Sequence, residues 1–426
     1  MRKSFQTYSE LRILKILHIN YSDNIGGAAK SAYRLHKELI KNNINSEMFV
    51  IQKDSDSFLI KSPEGLLTKL WFKVLPHIGR FTKRIVNYDK NIPQNFGIFP
   101  SPLKKIINKS NADIVHIHWI GGEMLPISAI AKINKPVVWT FHDMWAFCSS
   151  EHISYDNNYV NGYIYPSVVL KVLNCNLSRY IWNKKRKSWK KSFTIISPSA
   201  WMQRKALKSP LFHDFSIYKI HNLLDLNFWK PIEKKYAREI VGLPYDKKII
   251  LYGAVGGTKD QNKGFSYLIS ALNKINNKSQ RKITLALFGE SEFNSKESNK
   301  LPIEVFHLGK VIDDITLKII YSASDVLALP SKLENLPNVA IEAMSCGVPV
   351  VAFNVGGIFD VVQDKKTGFL IEKYNTKKFA ESIEQLISDN SLYQKFSSHC
   401  IEHITRKFSC KTIIQEHKDL YKKICK

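Results

Sequence analysis

Short apolar runs alternate with longer amphipathic stretches along most of the chain. The runs are rich in Val, Ile, Leu and Phe, which is typical of strands buried on both faces. The stretches between them are long enough for helices, and this alternation predicts parallel sheets with helices on both faces. The predicted strands are residues 13–19, 47–51, 114–118, 137–141, 194–197 and 218–220 in the first half, and 248–252, 283–288, 305–308, 326–329, 348–353 and 369–371 in the second.

The chain is long enough for two domains. Its 426 residues exceed the size at which a single hydrophobic core stops growing, and the two sets of strands predict two Rossmann-like α/β domains. The border is expected near residues 221–231, where polar residues and Pro231 interrupt the apolar pattern. We predict an N-terminal domain over residues 11–221, a second domain over 222–395, and helices over 396–426.

The chain is strongly basic, which bears on its partners and not on its fold. Its 63 Lys and Arg residues against 37 Asp and Glu give a formal net charge of +26, which leaves nucleic acid, anionic lipid or a generally Lys-rich composition as explanations. Basic residues concentrate at 184–191, beside Tyr180 and Trp182. This mixture suits an anionic membrane interface, and a solvated helix that covers the core with its aromatic residues is the alternative.

The sequence predicts neither export nor a membrane span. Residues 1–12 carry charge throughout and lack the apolar core of a signal peptide, and apolar windows such as 112–131 contain acidic residues and histidines. The six cysteines are scattered without a C-x-x-C pair, which argues against a zinc site and fits a reducing compartment. We therefore expect a soluble cytoplasmic protein, with peripheral contact to the inner face of the membrane as an option.

Two glutamates, Glu334 and Glu342, stand eight residues apart in the most informative segment of the chain, residues 329–353. The segment predicts a strand, a loop broken by Pro337, a helix ended by Gly347 and a second buried strand. Both carboxylates then lie near the carboxyl end of a strand, and open α/β sheets bind ligands in that crevice. A solvated loop charge and a residue on a helix surface are the plainer alternative.

Two glycine-containing segments precede predicted helices. Gly26-Gly27 leads directly into a helix, where backbone N–H groups can approach an anion at the positive helix end. Lys263-Gly264 stands at the start of another helix, and the lysine adds a positive charge there. Neither segment is a dinucleotide G-x-G-x-x-G or a P-loop, so an ordinary turn and an exposed loop charge remain open.

Histidines occur at the ends of two predicted strands. His116 and His118 share one face of a strand, and zinc binding would need further ligands that the sequence does not obviously supply. We therefore interpret this pair as core residues. His142, followed by Asp143, comes directly after the fourth predicted strand.

These segments resemble the retaining glycosyltransferases of family 4, above all over residues 252–368, which contain Lys263 and both glutamates. Thr140-Phe141-His142 is similar to the acceptor-side histidine motif of that family. The resemblance implies the GT-B fold, in which two Rossmann-like domains face a central cleft and the last helix packs back on the N-terminal domain. It also implies a nucleotide diphosphate sugar as the donor.

The resemblance assigns a role to each matching residue. The first carboxylate, Glu334, contacts the donor sugar, and the second, Glu342, holds the ribose hydroxyls. Lys263 stabilises the leaving diphosphate, and Lys259 stands in for an arginine that the family commonly has in this loop. The implied catalytic residues are His142, Lys263 and Glu334, and the implied donor-binding residues are Gly26, Gly27, Lys259, Lys263, Glu334, Asn335, Asn338 and Glu342.

The resemblance implies transfer of a sugar with retention of its anomeric configuration. Residues 24–36 and 139–147 look more like bacterial surface-polysaccharide enzymes of the colanic-acid type than like sucrose or glycogen synthases, so a glycan or a lipid-linked oligosaccharide is the expected acceptor. The donor is expected to carry UDP or GDP, with no further cofactor and no metal, since we recognise no Asp-x-Asp metal motif in the chain. Nucleic acid is not an expected partner. The alternatives are a GT-B epimerase or phosphorylase, and a non-catalytic protein that binds polyanions or membranes.

Overall fold

The chain folds into two parallel sheets, one in each half. The structure, a computed structural model, describes residues 14–86, 92–164, 173–190, 193–253, 260–275, 282–289 and 301–425. The strands of the described residues are β1 (Lys15–Ser22), β2 (Asn45–Gln52), β3 (Ile60–Lys61), β4 (Ile114–Ile117), β5 (Val137–Thr140), β6 (Thr194–Ser197), β7 (Ile217–Lys219), β8 (Lys248–Gly253), β9 (Ile283–Phe288), β10 (Glu304–His307), β11 (Val326–Leu329), β12 (Val350–Phe353) and β13 (Gly368–Ile371).

Both sheets have the crossover order of doubly wound α/β domains. The first runs β3-β2-β1-β4-β5-β6-β7 and the second β10-β9-β8-β11-β12-β13, and all neighbouring strands are parallel. Each of the twelve predicted strands has a counterpart in the described residues. Strand β3 was not predicted, because its two residues, which pair with Met48 and Phe49, are too few to show a pattern. The prediction of two Rossmann-like domains is confirmed.

The helices cover both faces of these sheets. Several begin with the side-chain caps that favour a helix start, since Ser199, Asp313, Asn375 and Asp389 each accept a bond from a backbone N–H of the first turn. In the described residues the helices are α1 (Gly27–Lys41), α2 (Leu66–Ile85), α3 (Leu103–Lys109), α4 (Ile127–Ile130), α5 (Leu173–Ser188), α6 (Ala200–Leu207), α7 (Lys234–Val241), α8 (Phe265–Leu272), α9 (Asp314–Ala323), α10 (Asn338–Ser345), α11 (Ile358–Val361), α12 (Thr376–Ser388), α13 (Asn390–Phe408) and α14 (Cys410–Ile424).

Helix α5 covers the N-terminal core with Trp182, as in the second interpretation of the basic run at 184–191. Lys185 is buried within the helix, and Trp189 is buried just after it. The Lys185 ammonium lies 3.8 Å from the centre of the Trp145 ring and donates to three nearby carbonyl oxygens. Burial lowers its pKa to about 7. Lys185 therefore faces the protein interior, whereas Arg186, Lys187 and Lys190 are exposed and Lys191 lies outside the described residues.

The C-terminal helices join the two domains. Helix α13 packs on the second domain, with Cys400 and Ile404 in its core, and the chain then crosses to the first domain. On α14, Ile413, Leu420 and Tyr421 are buried in the core of the first domain. The predicted return of the last helix is confirmed. No helix in the described part of the chain has the length and apolar character needed to cross a bilayer.

A cluster of histidines lies between the first sheet and two helices that cover it, α1 and α14. His18, His116 and His118 are on strands or at their ends, His36 is on α1 and His417 is on α14, and neighbouring rings are 4.2–6.1 Å apart. Burial lowers the pKa of each of these imidazoles. The cluster is therefore neutral at pH 7.

Acidification should destabilise this domain through its buried histidines. Burial lowers the pKa of His417 to about 4, against ~6.5 in an unfolded chain. Between these two pKa values the unfolded state binds more protons, so stability that is present above pH 6.5 is lost as the pH falls toward 4. For His417 alone the loss at pH 5 is about 2 kcal/mol.

We expect His417→Leu to shrink the drop in thermal midpoint between pH 7 and pH 5 by roughly 4–8 °C, at about 2–4 °C per kcal/mol. Thermal melts of wild type and variant, followed by intrinsic fluorescence at both pH values, measure this. His213→Leu removes an exposed imidazole and should leave the drop unchanged. Equal drops in the thermal midpoint of wild type and His417→Leu would contradict the lowered pKa of His417.

Candidate active site

The candidate residues lie between the two domains, near the carboxyl ends of strands from both sheets. Such ends form the usual ligand crevice of open α/β sheets. Gly26 and Gly27 follow β1, His142 follows β5, Lys263 stands between β8 and α8, Glu334 lies in the loop between β11 and α10, and Glu342 is on α10.

Lys263 and Glu334 form an ion pair in the cleft. The Nζ and Oε1 atoms are 2.7 Å apart, and both side chains are mostly shielded from solvent. Burial acts to lower the pKa of Lys263, but the charges of Glu334 and Asp260 outweigh this and raise it. The side chain is therefore an ammonium. One of its three N–H donors is used in this pair, and the others can serve an anion.

Gly264 allows the chain to place Lys263 in this position. Its φ is +70°, in the left-handed region that favours glycine, and a Cβ there would meet the carbonyl oxygen of Pro330 at 2.0 Å. The turn before α8 thus lies directly against the backbone of the loop that carries Glu334. The Asn262 side chain donates to the carbonyl oxygen of Leu333 and fastens the turn to the same loop.

A second glycine pair, Gly356-Gly357, supports the Glu334 loop and was not predicted. A Cβ on Gly356 would lie 1.8 Å from the carbonyl oxygen of Glu334, and a Cβ on Gly357 would lie 1.9 Å from that of Asn335. The N–H of Gly357 also donates to the Glu334 carbonyl oxygen at 2.9 Å. The available signal was a Gly-Gly shortly after a predicted strand, the same pattern that singled out Gly26-Gly27.

Glu342 is buried where the domains meet and is bonded by Arg34 of α1. Its two carboxylate oxygens accept from Arg34 Nη1 at 2.7 Å and from the Tyr321 hydroxyl at 2.9 Å. Arg34 also pairs with Asp314 at 3.0 Å and lies over the Trp229 ring. Arg34 was not predicted, because its partners are 280 and 308 residues away along the chain.

The predicted donor-binding residues Asn335 and Asn338 bind the opposite domain. The Asn335 side chain donates to the carbonyl oxygens of Phe141 and His142 at 2.9 and 3.0 Å. The Asn338 side chain donates to the Gly27 carbonyl oxygen at 2.9 Å. Both amides therefore link the domains across the cleft. Their further polar contacts are with Ser31, Ser199 and Asn222.

Two adjoining cavities occupy the cleft. One, of about 250 Å³, has Lys263 and Glu334 in its wall. The other, of about 280 Å³, extends to Glu342. Gly27 and Asn338 line both, so the cavities meet at the start of α1. Together they form an elongated site with an ion pair toward one end and a buried carboxylate toward the other.

His142 is the last of three histidines hydrogen-bonded in series. Its Nε2 is 3.1 Å from His118 Nδ1, and His118 Nε2 is 2.9 Å from His18 Nδ1. His18 and His118 are buried, whereas His142 lines the cavity that contains Lys263. Burial lowers the pKa of all three, that of His142 to about 4. His118 is thus a core residue that also contacts the cleft histidine, which the sequence did not indicate.

The buried end of this series favours one direction of hydrogen bonding. A neutral imidazole has one N–H and one acceptor, so His118 must donate to one neighbour and accept from the other. His18 Nε2 is buried without a hydrogen-bond partner among the described residues, and a buried orphan N–H is rarer than an orphan acceptor. His18 therefore donates from Nδ1 to His118, and His118 donates to His142. This leaves the His142 proton on Nδ1, which is available to a ligand.

Three histidines lie close enough together to suggest a metal. In the described part of the chain, ligand atoms of His18, His116 and His118 lie within 4.8 Å of one another. Hydrogen bonds account for them, because the ring nitrogens of His116 contact Tyr421 and Thr140 at 2.7 and 2.8 Å. The interpretation of His116 as a satisfied core residue fits this geometry.

The expectation that the chain holds no Asp-x-Asp motif is wrong, because residues 54–56 are Asp-Ser-Asp. Asp54 lies in the wall of the second cavity and accepts a hydrogen bond from the Ser22 hydroxyl at 3.3 Å. A carboxylate at this place is a possible ligand for a divalent cation.

Two further residues complete the predicted set. Lys259 lies outside the described residues, so its role stays a prediction. Asp143, next to His142, contacts His152 Nδ1 at 2.5 Å and accepts from the Trp145 N–H. Burial acts to raise the pKa of Asp143, but His152 outweighs this and lowers it. Asp143 is therefore an ionised partner of His152.

We expect the His118→Leu substitution to let His142 adopt both neutral tautomers, because its Nε2 then no longer accepts a hydrogen bond from His118. In wild-type protein labelled with 15N-histidine, NMR should show His142 protonated on Nδ1 and not on Nε2. In His118→Leu the two tautomers should mix. His118→Asn retains a side-chain N–H near the position of Nδ1 and should retain the wild-type pattern.

The His142 signals are assigned by their loss in His142→Gln. His36→Leu removes another buried imidazole of the cluster, one bonded to Ser46 and outside the series, and should leave the His142 pattern unchanged. A proton on Nε2 of His142 in the wild type would mean that the series runs in the opposite direction.

Two protein families match the chain. The model described as Glycosyltransferase Family 4 matches residues 25–228, and the model described as Glycosyl transferases group 1 matches residues 233–403. The first match covers most of the first domain and the second covers the whole of the second sheet. Together they contain every candidate residue named above.

Curated relatives and solved structures agree with these matches. The capsular polysaccharide biosynthesis glycosyltransferase CapM of Staphylococcus aureus is 33% identical over 167 residues, 38% of this chain and 43% of CapM. The chain spans about half the length of the curated relatives it matches. Sucrose-phosphate synthase from Thermosynechococcus elongatus has a TM-score of 0.67 at 19% identity, over 96% of this chain and 99% of that one.

A structure of HepE from Anabaena in complex with UDP and glucose has a TM-score of 0.63 at 17% identity, over 96% of this chain and all of HepE. At such identities the likeness concerns the fold. The two sheets, the returning helix and the residues at the cleft agree with the family matches over both halves. The chain belongs to the family 4 glycosyltransferases, with the GT-B fold.

Proposed function

We propose that the protein is a retaining glycosyltransferase that moves a sugar from a nucleotide diphosphate donor to a glycan or a lipid-linked oligosaccharide. The observation that carries the proposal is the pair of adjoining cavities, with the Lys263–Glu334 ion pair in one and Glu342 in the other. A donor of this class is elongated, and its sugar, diphosphate and nucleoside need different contacts. The two cavities supply such contacts in one continuous site.

The nucleoside is proposed to occupy the cavity that reaches Glu342. Each oxygen of that carboxylate accepts one protein hydrogen bond and keeps a lone pair for a ribose hydroxyl. The diphosphate then lies where the cavities meet, beside Gly27 at the start of α1. The first turn of α1 holds no acidic residue, so the positive end of the helix is available to the anion.

The sugar is proposed to lie in the other cavity, between Glu334 and His142. As the bond from the anomeric carbon to the phosphate breaks, negative charge grows on the leaving diphosphate and positive charge on the sugar. The two remaining N–H groups of Lys263 stabilise the diphosphate, and the Glu334 carboxylate stabilises the sugar. The His142 Nδ1–H donates to a hydroxyl of the sugar or of the acceptor.

The anomeric configuration is retained because the acceptor hydroxyl attacks the anomeric carbon from the same face that the diphosphate leaves. The acceptor hydroxyl bonds to the anomeric carbon and passes its proton to the departing phosphate oxygen, so neither a protein base nor a covalent intermediate is needed. UDP sugars are the first donors to test, because HepE was solved with UDP, and GDP sugars come next. A role in polysaccharide synthesis is supported by the similarity to CapM, a capsular polysaccharide biosynthesis glycosyltransferase.

The two glutamates should affect different kinetic constants. Ribose contacts are equal in the ground and transition states, so we expect Glu342→Gln to weaken donor binding. A carboxylate beside the reacting sugar acts as charge develops, so Glu334→Gln should lower kcat by about two powers of ten, the lower end of the scale for one preorganised electrostatic contact, with little change in KM. Donor titration by thermal shift and steady-state kinetics of transfer, or of donor hydrolysis without acceptor, measure both.

The exposed substitution Glu381→Gln is the matched control and should leave both constants unchanged. If both cleft variants kept the wild-type rate and donor affinity, the donor placement would be wrong. Product with inverted anomeric configuration would refute the retaining mechanism, and phosphorolysis of a glycan or epimerised nucleotide sugar would favour the alternative GT-B activities.

Lysine and helix ends, in place of a metal, are proposed to neutralise the leaving diphosphate. Transfer should therefore survive EDTA, and Lys263→Ala should lower turnover by about two to three powers of ten, the scale for losing one preorganised electrostatic contact. Lys366→Ala, at an exposed position, should have no effect. Loss of activity with EDTA and rescue by magnesium or manganese would overturn metal independence, and Asp54→Asn would then test the carboxylate in the second cavity.

A further inference from the structure

Helix α2 presents an apolar stripe to solvent. Leu66 and Leu67 at its start are 83% and 82% exposed. Further large apolar side chains follow on the same side of the helix at spacings of three, four or seven residues. This surface, the α2 stripe, consists of Leu66, Leu67, Leu70, Val74, Phe81 and Ile85, all of them exposed.

The fold itself does not use the α2 stripe. The other face of the helix packs on the first domain through Phe72, Leu75 and Gly79, which are buried. A helix on the surface of a globular protein normally has one apolar face and one polar face. An exposed apolar surface on the second face marks a place where something else binds.

A row of basic residues runs beside the α2 stripe. Lys69, Lys73, Arg80 and Arg84 are exposed and recur at spacings that place them on one flank of the helix. The sequence of α2 contains no aspartate or glutamate, and the whole chain carries a net charge of +26. Apolar stripe and basic flank together give α2 the composition of helices that lie in the interface of a membrane.

Charge decides between a membrane and a second copy of the chain. A two-fold dimer through the α2 stripe would bring two basic, acid-free helices together, and like charges across an interface oppose association. A bilayer with anionic lipid offers negative headgroups to the basic row and acyl chains to the stripe. The surface is therefore complementary to the bilayer.

The position of α2 relates this surface to the cleft. Gly79 lies so close to Glu123 that a Cβ would come within 3.1 Å of it. Glu123 belongs to the segment after β4 that begins with Trp119, and Trp119 Nε1 lies 3.2 Å from His152 Nδ1. His152 lines the cavity that contains Lys263. The docking face thus connects through one packed segment to the wall of the cleft.

We propose that α2 docks the protein on an anionic bilayer, with the α2 stripe against the acyl chains and its basic flank on the lipid headgroups. The docking surface differs from the basic run at 184–191, in which Lys185 is buried. Lipid binding through α2 is independent of the proposed transfer activity, so each can be tested without the other.

The test is sedimentation of the full chain with phosphatidylglycerol-containing vesicles and with pure phosphatidylcholine vesicles. The variant Leu70→Ser/Phe81→Ser changes two stripe residues that are 55% and 64% exposed. The control Tyr236→Ser/Ile240→Ser changes two residues of α7 in the second domain that are 58% and 64% exposed. All four positions are exposed, so thermal midpoints should stay near wild type.

Wild type and the α7 control should bind the anionic vesicles, and high salt should weaken this binding. The α2 variant should bind at least about tenfold more weakly than wild type, because it loses two apolar side chains that would enter the bilayer. Donor hydrolysis without acceptor should be unchanged in the α2 variant. Wild-type binding by the α2 variant, or equal binding to neutral vesicles, would overturn the proposal. If the wild type does not bind vesicles but forms a dimer in light scattering, and the α2 variant is a monomer, the α2 stripe binds a second copy of the chain instead.

Discussion

The ion pair between Arg34 and Glu342 is the contact on which the geometry of the cleft depends. It ties α1 of the first domain to α10 of the second. Glu342 is buried, and the Arg34 side chain is only 12% exposed. Removing one partner of a buried pair leaves a stranded charge, which costs about 3–5 kcal/mol. The same helices bring Asn338 against Gly27, where the two cavities meet. Substitution of either charged residue would therefore disturb the Glu342 end of the site and the place where the cavities meet.

The fold could be predicted from the sequence because parallel strands buried on both faces leave apolar runs that are visible one segment at a time. Strand β3 was not predicted, because two residues are too few to show a periodic pattern. The basic run at 184–191 was harder to interpret, because charge says nothing about the direction of a side chain. Only the structure shows that Lys185 finds three carbonyl oxygens and the Trp145 ring in the interior.

The candidate site was predicted where its chemistry lies within one local segment, as for Lys263, Glu334 and Glu342. The missed residues act through partners far away in the chain: Arg34 bonds Glu342 across 308 residues, and His18 bonds His118 across 100. Such pairs leave no local pattern in a single sequence. Asn335 and Asn338 lie in the predicted segment, but their role as links between domains depends on how the domains meet.

The two domains are joined in two different ways. Across the cleft the contacts are largely polar, and hydrogen bonds can be exchanged for bonds to water at little net cost. If the domains part, Arg34 and Glu342 both become hydrated, whereas a substitution leaves one of the two charges without its partner. Tyr421, by contrast, sits in an apolar core. The two crossings of the chain between domains lie side by side at Leu224 and Ser409. This is the natural place for a hinge, about which Lys263 and Glu334 would travel as one rigid unit while the ligand enters or leaves.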